Sequence, residues 1–239
     1  MRIFGKDDRT LHDGTDLVAR GTRPASDSTT SAAARVIERL VDVGIDGKGH
    51  FDSAQKVADV ASAEHHDAEQ AIDAMVRAHL RLGAAGGFAT SLGGFVTLAI
   101  ALPANVLGFY LVATRMVAGI ASTRGYDISQ PQVRSAILLA LIGADSDDLL
   151  KKLPPLPGVG TGRLANLAVQ GLPGPALLAV NKAVGFRMLN QFGRKSLTRF
   201  GKAVPLVGGV VGASVDTFLL KRIADYARQE FPPRARTVP

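Results

Sequence analysis

Between Leu82 and Thr114 the chain carries no Asp, Glu, Lys, Arg or His. A run of that length has to leave water, into a protein core or into lipid, because exposed apolar surface costs about 25 cal/mol per Å². Within it, Gly86-Gly87-Phe88-Ala89-Thr90-Ser91-Leu92 is echoed by Gly93-Gly94-Phe95-Val96-Thr97-Leu98-Ala99. Pro103 is expected to divide the run into two helical arms, Leu82 to Leu102 and Ala104 to Thr123, since proline removes a backbone donor and clashes with the preceding turn. A bilayer span needs about 20 apolar residues. The first arm has that length but is diluted by glycine, Thr90, Ser91 and Thr97, and the second is interrupted by Arg115. A buried, glycine-rich helical hairpin is therefore expected in preference to a double span.

The flanking sequence has helical periodicity. Val36, Ile37, Leu40 and Val41 share one face before the Gly44, Gly47, Gly49 cluster. Ser53 is placed to cap a helix through Glu64, and a further helix from Asp67 turns Ile72, Met75, Val76 and Leu80 inward. Gly125 is placed for a left-handed cap, and Ser129 for the cap of a helix carrying Val133, Ile137, Leu138 and Leu141. Ser146, Asp147 and Asp148 would start a short helix, and Pro154, Pro155, Pro157, Gly158 and Gly160 a hinge. Helices near Gly162 to Gln170, Pro175 to Phe192 and Pro205 to Gln229 follow. Gly208 and Gly212 repeat the spacing of Gly83 and Gly87, which lets two backbones approach closely. The expected fold is all-α: one helical domain over 31–230, after a disordered tail at 1–30 and before a C-terminal tail at 231–239.

Charge is spread unevenly. Of a net +7, nine cations fall between Leu149 and Val215, where no Asp or Glu occurs: Lys151, Lys152, Arg163, Lys182, Arg187, Arg194, Lys195, Arg199 and Lys202. An acid-free stretch of this kind points to an anionic partner. Val180, Val184, Met188 and Phe192 form an apolar stripe while Arg187, Gln191, Arg194, Lys195 and Lys202 gather on another side, a basic amphipathic pattern suited to an anionic membrane surface. The same stripe would also suit a surface helix facing a core. Nucleic acid is disfavoured: aromatics are 5% of the chain and no binding module is recognisable. The N-terminus, with Asp7, Asp8 and Asp13 and no apolar segment, does not resemble a secretory signal, so a cytoplasmic location is expected, peripheral to the inner face of the cell membrane.

Catalytic and metal chemistry find little support. The absence of cysteine excludes disulfides and thiol catalysis. His65 and His66 are adjacent, so on a helix they point about 100° apart, and no second ligand pair completes a metal site. Gly158-Val159-Gly160-Thr161-Gly162 lacks the ending of a phosphate loop, and no Gly-x-Ser-x-Gly elbow is present. No metal or cofactor is expected. Arg115 and Asp216 are the charges deepest in apolar sequence, so an ion pair between them is expected, because buried charge is costly unless paired.

Several ordered blocks carry a resemblance: Leu102-Pro103-Ala104-Asn105-Val106-Leu107-Gly108-Phe109-Tyr110, Thr114-Arg115-Met116-Val117, Arg124-Gly125-Tyr126-Asp127, Asn181-Lys182-Ala183-Val184-Gly185-Phe186-Arg187, and Pro205-Leu206-Val207-Gly208-Gly209-Val210-Val211-Gly212. From Leu82 to Tyr226 the chain resembles the EcsC family of bacterial proteins. The resemblance implies a helical protein, membrane-associated or cytosolic, whose namesake is encoded beside an ATP-driven transporter and whose biochemical activity is unsettled. It marks Asn105, Arg115, Arg124, Asn181, Lys182, Arg187 and Asp216 as candidates for a shared polar site. The expected function is that of a non-enzymatic accessory factor at the membrane surface or on a membrane protein complex, with Arg194, Lys195, Arg199 and Lys202 contacting the anionic surface. The alternative is a hydrolase-like enzyme, or a lipid or small-molecule binder, with a pocket near Arg115, Arg124 and Asp216.

Overall fold

The structure, a computed structural model, describes residues 31, 34–49, 51–92, 98–142, 163–171, 173–199 and 205–234; for 86–92, 98–105, 163, 176, 189–199 and 205–213 it describes the backbone alone. Among the described residues the fold is all-helical, without a strand. A helical segment over 34–39 runs into a π-helical turn, Leu40–Ile45. Seven helices follow: α1 (Ala54–Glu64), α2 (Ala68–Leu92), α3 (Leu98–Thr123), α4 (Pro131–Leu141), α5 (Arg163–Gln170), α6 (Gly174–Arg199) and α7 (Pro205–Glu230). The expected tail at 1–30, the Ser146–Asp148 helix start and the proline-glycine hinge lie outside the described residues.

Pro103 does not divide the run: it sits inside α3, while Gly86 and Gly87 are carried within α2, and residues 93–97 between the two helices lie outside the described residues. Pro103, near the start of α3, forfeits a single backbone bond and is accommodated. Ser53 caps α1 as expected, its side chain accepting from the Lys56 amide at 3.2 Å. Ser129 does not cap α4. The Asp127 carboxylate accepts from the Ser129 amide and hydroxyl and from the Gln130 side chain, and Pro131 opens the helix with its φ already set.

α2 and α7 form the central antiparallel pair, α3 packs along both, and α4 is enclosed between α3, α5 and α6. Every residue from Ser135 to Leu141 is buried, so α4 is enclosed on all sides beyond its first turn, where Arg134 still reaches out to Asp46. The core joins Ile72 and Met75 of α2, Met116 and Ile120 of α3, Ile137 and Leu138 of α4, and Leu220 of α7. Small residues let the helices close up. A Cβ on Gly83 would collide with Leu220, and one on Gly44 would stand 2.8 Å from Thr114 Cγ2.

Residues 231–234 are no tail. Phe231 is fully buried and packs edge-on against Tyr126, the Tyr126 hydroxyl donates to the Pro232 carbonyl at 3.1 Å, and the Arg234 amide donates to the Arg124 carbonyl at 3.0 Å. Gly125, at φ +85°, provides the left-handed turn over which this segment closes, and a Cβ there would press on the Arg234 carbonyl.

Candidate functional site

Two sets of contacts fix the axial register of the bundle. On α2 and α7, Asp73 pairs with Arg228 and Gly83 meets Leu220; on α2 and α3, Met75 lies against Gly119. Arg115 therefore lies level with His79, and Asp216 level with about residue 86 of α2. At 1.5 Å per residue these positions are about 10 Å apart along the axis.

That offset corrects the expected Arg115–Asp216 ion pair, which is absent from the described residues. The Arg115 guanidinium lies 4.8 Å from the centroid of the Phe51 ring, and its buried Nε has no hydrogen-bond partner. Burial pulls its pKa down, partly offset by the charge of Asp52, which is itself tied to Lys56 at 2.7 Å. Asp216 is half-buried, and burial alone pushes its carboxyl up to about 6. No ion pair or hydrogen bond to it occurs among the described residues.

Arg124 is buried and, although its Nε has no partner, both of its terminal nitrogens are committed to structure. It meets Glu69 at 2.6 Å and donates to the carbonyls of Arg228 at 3.2 Å and Phe231 at 2.9 Å, tying the end of α3 to the start of α2 and the end of α7. Arg115 and Arg124 are separated by about 13 Å of helix, and Asp216 lies beyond Arg115 on the opposite side from Arg124, so the three span about 24 Å along the bundle. They do not converge on one pocket. Asn181 holds its buried Oδ1 without a partner, Lys182 is exposed and Arg187 half-buried, all on α6. The backbone of Asn105 lies in α3 and those of Arg194, Lys195 and Arg199 in α6, with side chains outside the described set; Lys202 is outside it altogether.

The stripe on α6 faces inward. Val180, Val184 and Met188 are buried in the core, which leaves Leu178, Lys182 and Phe186, spaced four residues apart, on the outer face. His79 is a buried polar residue that periodicity did not single out. Its Nδ1 donates to the Met75 carbonyl at 2.8 Å, which leaves Nε2 as a bare acceptor without a partner, and burial pulls its pKa down, with Arg115 adding to the effect. Among the described residues no group of three or more metal-ligating side chains occurs.

The register also gathers four cations at one level. Arg81 of α2 is level with Lys221 and Arg222 of α7, and Arg115 of α3 is within about 3 Å of them along the axis. Towards the end of α2 and the start of α3, these two helices carry no charge beyond this collar and α7 carries only Asp216. Leu82, Val215 and Phe218 are exposed there, and Arg222 stacks over Phe218 as Arg115 does over Phe51. The segment Val106–Thr123 is long and apolar enough to cross a membrane, but more than half of it is buried against neighbouring helices.

No protein-family model, curated protein or solved structure matches the chain.

Proposed function

We propose that the protein is a non-enzymatic accessory factor that docks on the anionic cytoplasmic face of a cell membrane. The observation that carries this reading is an acid-free stretch: nine cations between Leu149 and Val215 meet no carboxylate in that sequence. Each basic residue near an anionic surface contributes about 1 kcal/mol of attraction. The outer face of α6 adds exposed Leu178 and Phe186 around Lys182, apolar groups that can enter a headgroup layer. The resemblance to the EcsC family agrees in kind, and a transporter or other membrane complex is the natural setting for such a factor.

The hydrolase-like alternative required a pocket shared by Arg115, Arg124 and Asp216, and their axial spread removes its support. Co-sedimentation with vesicles tests the docking. Binding to phosphatidylglycerol-containing vesicles should exceed binding to pure phosphatidylcholine and weaken as salt rises from 50 to 500 mM. Equal binding to both vesicle types rejects the reading.

A further inference from the structure

Met75 of α2 faces Gly119 of α3 in the contact that sets the register of these two helices. One turn onward in α2 and one turn back in α3 come His79 and Arg115, so the two side chains leave the same facing surfaces at one level. α1 packs on both helices, and the segment leading into it brings the Phe51 ring and the charge of Asp52 to Arg115.

His79 and Arg115 hold orphan atoms of opposite kind. Arg115 Nε is a buried donor without a partner, and its terminal nitrogens make no hydrogen bond or ion pair among the described residues. His79 is 3% exposed; with Nδ1 donating to the Met75 carbonyl, its Nε2 is a buried acceptor without a partner. A hydrogen bond from Arg115 to Nε2 would satisfy both, and it does not form. Contact with the Phe51 ring uses up no N–H donor, and the Asp52 carboxylate is held by Lys56 at 2.7 Å. A half-buried guanidinium thus has neither an acceptor nor a bonded counter-charge. For packing alone this is a poor choice, since an apolar side chain of similar volume would fill the position at no cost in desolvation.

We infer that His79 and Arg115 bind a phosphomonoester group, the Arg115 N–H groups donating to its oxygens and one proton being held between a phosphate oxygen and His79 Nε2. A water would bridge the two atoms but leave the charge of Arg115 uncompensated. A carboxylate or a sulfate compensates the charge but brings no proton for Nε2, and burial together with Arg115 opposes protonation of the imidazole itself. A phosphomonoester, whose second ionisation lies at about pH 6, offers both an anionic edge for the guanidinium fork and an O–H for the imidazole. Its approach is from the side of Phe51, an exposed ring on the segment between Gly49 and the Ser53 cap. Exposed Arg81, two residues beyond His79, adds positive potential, while Asp52 and Lys56 offset each other. The site goes beyond the docking proposed above and does not depend on it, because a soluble phosphomonoester and the headgroup of phosphatidic acid present the same chemistry.

Titration calorimetry near neutral pH and at constant ionic strength compares inorganic phosphate with sulfate, its proton-free isostere. Phosphate should bind the wild type about tenfold more tightly, the worth of one hydrogen bond to a buried acceptor. His79→Leu should bring phosphate down to the affinity of sulfate, and Arg115→Met should abolish binding of both. Circular dichroism verifies that the variants fold, and the comparison of the two anions on the wild type needs no variant. Vesicles at about 500 mM salt, where general attraction to anionic lipid is screened, identify the source of the group. Arg115-dependent retention on phosphatidic acid over phosphatidylglycerol, a phosphodiester without such a proton, assigns the site to a lipid headgroup. Phosphate binding without that preference assigns it to a soluble phosphomonoester. Equal binding of phosphate and sulfate, binding that survives Arg115→Met, or the absence of both phosphate binding and the phosphatidic acid preference would overturn the site. Docking on phosphatidylglycerol over phosphatidylcholine at low salt stands or falls separately.

Discussion

At the scale of single residues, the strongest distinction lies between Arg124 and Arg115. Both are arginines within apolar helix sequence and both hold a buried Nε without a partner, yet one closes a network through its terminal nitrogens and the other lies over a ring. Replacing Arg124 by Ala strands two carbonyls and should cost about 2–4 kcal/mol in urea denaturation. Glu69→Gln touches only the half-exposed partner and should cost under about 1 kcal/mol. Equal losses would show that the ion pair, and not the carbonyl contacts, holds the joint. Asp216 makes a separate prediction with a definite sign. Its folded pKa is raised, so the native state keeps a proton that the unfolded chain releases, and stability from this group is lost as pH rises from about 4 to about 6. The advantage of Asp216→Asn over wild type should be near zero at pH 4 and reach about 1–2 kcal/mol at pH 7, the figure being reduced for a carboxyl that water partly screens. Thermal melts of the pair across that range measure it.

At the scale of elements, the close approaches decide how the bundle assembles. Gly44 lets the π-helical turn meet α3, and the atoms it faces belong to Thr114, whose branched Cβ cannot swing aside in a helix and whose hydroxyl is held by the Tyr110 carbonyl at 2.6 Å. Gly44→Ala should therefore destabilise by about 1–3 kcal/mol, read as a lowered melting temperature. The start of α5 depends on a remote carboxylate: Glu230, near the end of α7, accepts from the Leu164 amide at 3.0 Å. Glu230→Ala should cost about 1–2 kcal/mol and raise amide exchange in α5 first, because a capping acceptor and a favourable charge at the helix dipole are lost together. Exchange unchanged in α5 would refute that linkage.

At the scale of the whole molecule, a charge-reversed variant, Arg194→Glu with Lys195→Glu and Arg199→Glu, should lose its preference for anionic vesicles while keeping its circular dichroism spectrum. Retained preference would place the electrostatic contact elsewhere. The helices themselves were legible in sequence because each rests on local rules: the Ser53 cap, the inward stripe Ile72, Met75 and Val76, and the glycine after Arg124. What sequence could not supply was register. The ion pair of Arg115 with Asp216 followed from composition, but axial position is set by contacts such as Gly83 with Leu220 and Gly119 with Met75, which are remote in sequence. The inward turn of Val180, Val184 and Met188 was undecidable for a similar reason: a stripe at helical spacing looks alike whether lipid or α4 covers it. The docking of Phe231 was illegible because only the fold brings Tyr126 and Arg124 beneath it.

That docking has a consequence for how the protein is made. Arg124 leaves the ribosome more than a hundred residues before Phe231 and Arg234, the groups that close over it. At about 5–20 residues per second, the delay is about 5–20 s. Through that interval the charge-free hairpin has already been synthesised while α7, its main cover, has not. A nascent chain thus passes through a stage in which its most apolar segment is open to chaperones or to a nearby bilayer, and where it goes can be decided before its last helix exists.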